Sequence, residues 1–232
     1  MLTDGFPQIR SKKEPNVAKK TLYLVRHGEA EHNLKEPPRL YRGAESELTE
    51  LGHRQAGYIA ERASHLTLDV LITSSMRRAR QTAEHIAKRI DKDIVASDLF
   101  VEAKDPPSQQ GKVWLDPEVQ HVHKEWQATL FSDQRVRDGE NFPDLRTRAK
   151  DARRFLETRD EDSILVVTHG LFLRALVGIT VFKEKFDATL FDQMDNGFRT
   201  TNTGLTILQY DPKDPYCEWW LLVWNDHAHL AE

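Results

Sequence analysis

The sequence predicts an α/β layered domain, and three observations carry that prediction. Short apolar runs of strand length end abruptly at glycine or at polar residues. Between them lie longer stretches in which apolar residues recur at helical spacing. The two kinds of segment alternate along most of the chain, the pattern of helices packed on a sheet.

Residues 21–26 are rich in Leu and Val and stop at Gly28, so they read as a buried strand. The polar stretch that follows contains Pro37 and Pro38 and reads as loop. Thr49 is an N-cap candidate ahead of Ala56, Ile59, Ala60 and Ala63, which share one helical face. Residues 69–73 form a second buried strand. Ser74 and Ser75 then turn into a helix whose apolar face carries Ala79, Ala83, Ile86 and Ile90. Residues 94–97 supply a third strand, and the stretch 103–114, with Pro106, Pro107 and Gly111, is a long loop. Val119, Val122, Trp126 and Leu130 mark one helix, and Phe142, Leu145, Ala149, Ala152 and Leu156 mark the next. Residues 163–168 are a near-continuous apolar run ending at His169-Gly170, as expected of a central parallel strand, and a helix begins near Leu171. Residues 205–210 and 218–224 read as late strands joined by a turn with Pro212 and Pro215, an antiparallel pair at an edge.

With 232 residues, 39% of them hydrophobic and 30% charged, the chain can bury one sizeable core and has a globular, water-soluble balance. No repeat or linker divides it. Residues 21–232 are therefore expected to form one domain behind a flexible, solvated tail of residues 1–20 that carries Lys12, Lys13, Lys19 and Lys20. The net charge of -4 gives no global field for nucleic acid. No window has the length of a membrane span, and the N-terminus lacks the secretory pattern. The single cysteine, Cys217, leaves no intrachain disulfide; beside Trp219 and Trp220 it reads as a small buried hydrophobe. The cytoplasm is the expected compartment, with neither nucleic acid nor membrane as a partner.

Reactive residues collect where three buried strands end. The first runs into Arg26-His27-Gly28-Glu29, the second into Ser74-Ser75 with Arg77, Arg78 and Arg80 beyond, and the third into Thr168-His169-Gly170. Ligands of open α/β sheets bind beyond the carboxyl ends of the strands. If these strands are parallel neighbours, two histidines and at least two arginines meet there. Guanidinium forks match phosphate oxygens, helix N-termini add backbone donors, and a neutral imidazole can attack phosphorus. Taken singly, each residue also has a structural reading: a histidine after a strand, or a solvated arginine face, whose periodicity does not choose among Arg77, Arg78 and Arg80. No nucleotide P-loop, dinucleotide fingerprint or G-x-S-x-G elbow is present.

Leu24-Val25-Arg26-His27-Gly28-Glu29, with Asn33 four residues on, resembles the opening signature of the histidine phosphatase superfamily, which contains the phosphoglycerate mutases. The likeness continues through Leu48-Thr49-Glu50-Leu51-Gly52, the segment from Ser74 to Ala83, Gly139-Glu140-Asn141-Phe142 with Asp144 and Arg148, Val166-Val167-Thr168-His169-Gly170, Asn202-Thr203-Gly204, and Asn225-Asp226 with His229-Leu230. The resemblance implies a three-layer α/β/α sandwich with a mixed, mainly parallel sheet. It implies His27 as nucleophile, and Arg26, Arg78 and His169 as the other members of a phosphate pocket. Arg77 and Arg80 then revert to the surface. Asn33 is expected to contact phosphate or substrate, or else to close the turn after the nucleophile. Glu102 stands where the family's proton donor usually lies, and Glu29 is expected to be structural. His27 must be neutral to attack. A hydrogen bond from its other ring nitrogen would set the tautomer, with an acceptor that the sequence does not name.

The glycolytic mutases carry Asn after the second His-Gly pair, where this chain has Leu171, and Glu102 is followed here by Ala103-Lys104-Asp105-Pro106-Pro107. These departures favour a metal-independent phosphatase acting on a small phosphomonoester, with no cofactor. Competing readings are a mutase-type phosphotransferase, a non-catalytic phosphate-binding protein, and a metal hydrolase using His121-x-His123 or His227-x-His229. For that last pattern companion ligands are lacking, and His121 and His123 are expected on a helix and its solvent face. Trp114, Trp126, Phe131, Lys104 and Arg42 are candidates for shaping the entrance or attracting an anion.

Overall fold

The computed structural model describes residues 18–34, 43–109 and 111–231. The expected tail up to residue 17, together with Pro37, Pro38 and Arg42, lies outside them. In chain order the elements are β1 (Lys20–Arg26), α1 (Glu50–Ala63), β2 (Val70–Ser74), α2 (Arg77–Ile90), β3 (Ile94–Ser97), α3 (Pro117–Thr129), α4 (Phe142–Glu157), β4 (Ser163–Thr168), α5 (Gly170–Val181), α6 (Ala188–Gly197), β5 (Leu205–Tyr210) and β6 (Trp219–Asp226).

The strands form one sheet in the order β3-β2-β4-β1-β5-β6. The first four are mutually parallel, β5 runs antiparallel to β1, and β6 runs antiparallel to β5 at the edge. Strand side chains alternate between faces. Leu22, Leu24, Val70, Ile72, Ile164 and Val166 point into one core with the apolar faces of α4 and α5. Val25, Leu71, Leu165 and Val167 point into a second core with α1 and α2. Because β4 is covered on both faces, nearly every one of its residues is apolar, which is why it reads as a continuous run. The architecture is the expected three-layer α/β/α sandwich.

Helix starts follow their capping residues. Thr49 accepts from the backbone N–H of Gly52 at the head of α1, and Asn141 and Asp144 cap α4 reciprocally. Three readings need correction. Lys20 belongs to the sheet and not the tail: it is buried, and its Nζ donates to the carbonyls of Arg159 (2.6 Å) and Glu161 (3.1 Å), which satisfies the charge. Cys217 is half-buried in the turn before β6, because the apolar run begins only at Trp219. Helix α6 has no counterpart in the apolar spacing, since it buries only Phe191 and Met194.

Candidate active site

Strands β2, β4 and β1 are adjacent and parallel, so their carboxyl ends open on the same edge. Arg26 is in register with Thr168, which places the following residues, His27 and His169, side by side with ring centroids 5.0 Å apart. The first turn of α2, entered from the end of β2, brings Arg78 to His27.

His27 is 1% exposed. Its Nδ1 lies 2.6 Å from the carbonyl oxygen of Gly28. A carbonyl only accepts, so Nδ1 carries the proton and Nε2 keeps its lone pair. That nitrogen faces the Nε–H of Arg78 at 3.2 Å. Burial, then the charges of Arg78, His169 and Arg26, hold the imidazole well below its ordinary pKa, so it is neutral at pH 7. The main chain around it is held firmly: His27 N donates to Thr168 O (2.9 Å), Gly28 N to Thr82 Oγ1 (3.0 Å), and Asn202 Nδ2 to His27 O (2.9 Å). Helix α1 packs directly on this loop. A Cβ at Gly28 would sit 2.6 Å from Gly52 O, and one at Gly52 would sit 1.9 Å from Glu29 O, so both positions require glycine.

Arg78 is buried and anchored by Nη1 to Gly43 O (2.9 Å). Burial lowers its pKa to about 10, which leaves it charged at neutral pH. Arg77 and Arg80 face solvent, and Arg77 pairs with Glu47 at 2.9 Å. Arg26 Nη1 donates to Thr200 O (2.6 Å), while its buried Nε has no partner among the described residues. His169 contacts Ser74 Oγ through Nε2 (2.7 Å), and its buried Nδ1 has no partner among them. Thr200 Oγ1, also without a partner, and Arg26 Nε lie beside Gly170, 3.1 and 3.5 Å from a Cβ built there. Polar groups with unused hydrogen-bonding capacity thus gather at the N-terminus of α5, where the backbone adds N–H donors and partial positive charge. The arrangement suits a tetrahedral anion.

The Glu102 carboxylate closes the other side. Its Oε1 accepts from Ala103 N and Phe172 N (2.9 Å each), and its Oε2 accepts from Leu171 N (3.1 Å). It also attracts Arg26 and Arg78. Arg148 holds the main chain of this segment, donating to Val101 O (2.7 Å) and Glu102 O (3.1 Å) while ion-paired to buried Glu140 at 2.6 Å. Glu29 accepts from Thr49 Oγ1 (2.8 Å), joining the nucleophile loop to α1. Asn33 Oδ1 accepts from Ala30 N (3.0 Å), which closes the turn. Its neighbours Glu31 and His32 line the cavity next to Arg78.

A cavity of about 280 Å³ extends from Arg78 and Glu102 to Asp105, Trp114, His123 and Trp126.

The model of the histidine phosphatase superfamily (branch 1) matches residues 22–226. The chain belongs to this superfamily. Probable phosphoglycerate mutase GpmB of Enterobacter sp. (strain 638) is 31% identical over 224 residues, covering 90% of this chain and 94% of that protein. The corresponding GpmB of Proteus mirabilis is 29% identical over 220 residues, covering 91% and 95%. Among solved structures, a mycobacterial glucosyl-3-phosphoglycerate phosphatase superposes with a TM-score of 0.69 at 21% identity, covering 90% of this chain and 99% of that one. A phosphoserine phosphatase from Entamoeba histolytica, in complex with 3-phosphoglyceric acid, gives 0.67 at 21%, covering 91% and 99%. At such identities these structures share the fold.

This superfamily member differs from its sequence reading around the cavity. His123, expected on a solvent face, is half-buried between Trp114, which it meets edge to face (4.7 Å), and Trp126, against which it is tilted (5.3 Å). A signal was present: it flanks the stripe of Val119, Val122 and Trp126. His121 is exposed beside Glu125, so the two histidines of that pair do not converge. His227 is exposed and contacts Asn225 O, whereas His229 reaches Thr203 Oγ1 and Arg62. Among the described residues no cluster of three or more His, Cys, Asp or Glu side chains gathers as a metal site. Phe131 packs on Phe191 against the main core, and Lys104 is exposed. No helix among the described residues is long and apolar enough to cross a membrane.

Proposed function

We propose that this superfamily member is a phosphoric monoester hydrolase working through a phosphohistidine on His27. The observation that carries the reading is the His27 tautomer: a buried, neutral imidazole with Nδ1–H bound to Gly28 O and an Nε2 lone pair facing cationic donors. Arg26, Arg78, His169 and the N-terminus of α5 hold the phosphoryl oxygens. Nε2 attacks phosphorus, the bond to the leaving oxygen breaks, and that oxygen takes a proton from Glu102. Water then attacks phosphorus, its proton returns to Glu102, and the N–P bond breaks. His27 is regenerated neutral and inorganic phosphate leaves.

Leu171 lines the cavity next to Glu102, an apolar residue where the glycolytic mutases carry Asn, and this favours hydrolysis over phosphoryl retention. The kinship to GpmB keeps a mutase as the second reading. Wild-type protein and His27→Ala are to be incubated with para-nitrophenyl phosphate, with and without a chelator. Release by the wild type unaffected by chelator, and a fall of about 10³-fold or more in His27→Ala, is the expected result. Equal release by the variant would remove His27 as nucleophile. Conversion of 3-phosphoglycerate to 2-phosphoglycerate without net phosphate release would establish the mutase.

A further inference from the structure

The cavity continues past the phosphoryl site into a chamber that the chemistry above does not use. One wall is aromatic: Trp114, His123 and Trp126 pack in series. It is rigid, because Trp126 Nε1 donates to Glu140 O (3.0 Å) and the indole lies against Gly139, where a Cβ would come within 2.5 Å of Cδ1. Burial lowers the His123 pKa to about 4, so this wall is uncharged at neutral pH. Asp105 lines the same chamber on the segment whose main chain is clamped between Lys104 and Glu140. Its Oδ2 is buried and has no hydrogen-bond partner among the described residues. Burial raises its pKa to about 6, so at pH 7 it is largely a carboxylate short of a donor.

The charge balance points the same way. The described lining residues include Glu31, Glu102 and Asp105, and among them Arg78 is the single lysine or arginine, already at the phosphoryl end. Among the described lining residues, a second phosphate or a carboxylate on the leaving group would meet no lysine or arginine other than Arg78. An aromatic wall beside an unsatisfied carboxylate takes the reverse: a ring whose polar tip is an O–H or N–H donor.

We propose that Asp105 selects the leaving group, and that the substrate is the phosphomonoester of a neutral or cationic, ring-bearing alcohol offering a hydrogen-bond donor to Asp105 Oδ2. This rests on reading His27 as the phosphoryl end of the cavity. Phosphoglycerates and bisphosphates are then poor substrates, and Asp105 acts on specificity and not on the bond-breaking step.

The test uses two matched esters, para-aminomethylphenyl phosphate and para-carboxyphenyl phosphate. Their binding to the full-length His27→Ala protein is measured by calorimetry, which reads recognition without turnover, and kcat/KM is measured on the wild type. The ammonium ester is expected to bind about 10- to 100-fold tighter than the carboxylate ester, the range of one charge-assisted hydrogen bond. Asp105→Asn in the same background is expected to shrink that ratio to about threefold or less. Should that variant fold poorly, Asp105→Ser replaces it, and the ratio in the parent protein already decides. A ratio near one, a preference for the carboxylate ester, or a ratio unmoved by Asp105→Asn overturns the proposal. The two readings fail separately. A binding preference with no phosphate release by the wild type sinks the phosphatase and leaves the chamber, whereas release from both esters with no binding preference does the opposite.

Discussion

Behind the end of the cavity lined by Arg78 and Glu102, the functional groups come from the ends of three adjacent strands or from the first turn of the helix that follows. At the other end Asp105 and Trp114 come from a loop, and His123 and Trp126 from the helix after it. The phosphoryl end inherits its geometry from sheet register: once Arg26 pairs with Thr168, His27 and His169 are neighbours. The far end depends on local clamps such as Arg148 with Glu140 and Trp126 with Gly139. On the proposed reading, chemistry is built on the least deformable part of the fold and selectivity on the most replaceable part. One end can change its leaving group while the other keeps its reaction.

The comparison is broken most severely at Arg78. Arg78→Lys keeps the charge but loses the Nε–H aimed at His27 Nε2 and the fork that spans two oxygens. We expect kcat/KM for para-nitrophenyl phosphate to fall about 100-fold. A loss under about threefold would show that charge alone suffices there and that the strand-end geometry is not what matters.

The contrast also explains what could be read beforehand. A strand end announces itself, because an apolar run such as 163–168 stops at polar His169, and the matching chemistry of several such ends is visible before any contact is known. Choosing Arg78 over Arg77 and Arg80 took the family motif, since all three lie within one turn. The partner of His27 Nδ1 was hidden because it is a main-chain carbonyl, set by the path of the loop and not by a residue type. Asp105 was hidden for a related reason: a loop's sequence does not say where its side chains point. Lys20 misled by its charge, which two carbonyls satisfy inside the fold. Helix α6 escaped because two buried residues make no period.

Glu102 joins the two ends, and substituting it sharpens the line between them. Glu102→Gln keeps one acceptor oxygen, which can serve the N–H of Leu171 or of Phe172 but not both, so α5 retains one of its two contacts to this side chain. It removes the proton. For an alkyl phosphate, whose alkoxide must be protonated, kcat/KM is expected to drop about 10- to 100-fold further than for para-nitrophenyl phosphate, whose leaving group departs unaided. Equal losses on both would show that Glu102 positions α5 and does not donate the proton.

The smallest effect is one of stability, and there Asp105 opposes the buried histidines in acid. His27 and His169 have pKa values far below the ordinary 6.5, and His123 and His229 are lowered to about 4, in every case chiefly by burial. Above pH 6.5 these rings are neutral both folded and unfolded, so they contribute no slope. Between about 6.5 and 4 the unfolded chain takes up protons that the fold refuses, and stability falls as pH falls. Asp105 has the opposite sign. Its carboxyl is raised to about 6 from an ordinary 3.8, so between those values the fold binds the proton first and gains stability as pH falls. His85 is likewise lowered and Asp195 likewise raised by burial, so five histidines stand against two aspartates; the balance is a net loss, and Tm is expected to drop from pH 7 to pH 5. Asp105→Asn removes one opposing contribution. It should raise Tm at pH 7, where the buried charge is costly, and leave Tm at pH 5 nearly unchanged. Asp105 as a residue is only half-buried although its Oδ2 is enclosed, so the gain is about 1–2 kcal/mol, or roughly 2–6 °C for a chain of this size. Calorimetric scans of both proteins at the two pH values decide it: a pH 7 to pH 5 drop no larger in Asp105→Asn than in the wild type would mean that Asp105 is solvated, and that the chamber has no buried carboxylate to offer a substrate.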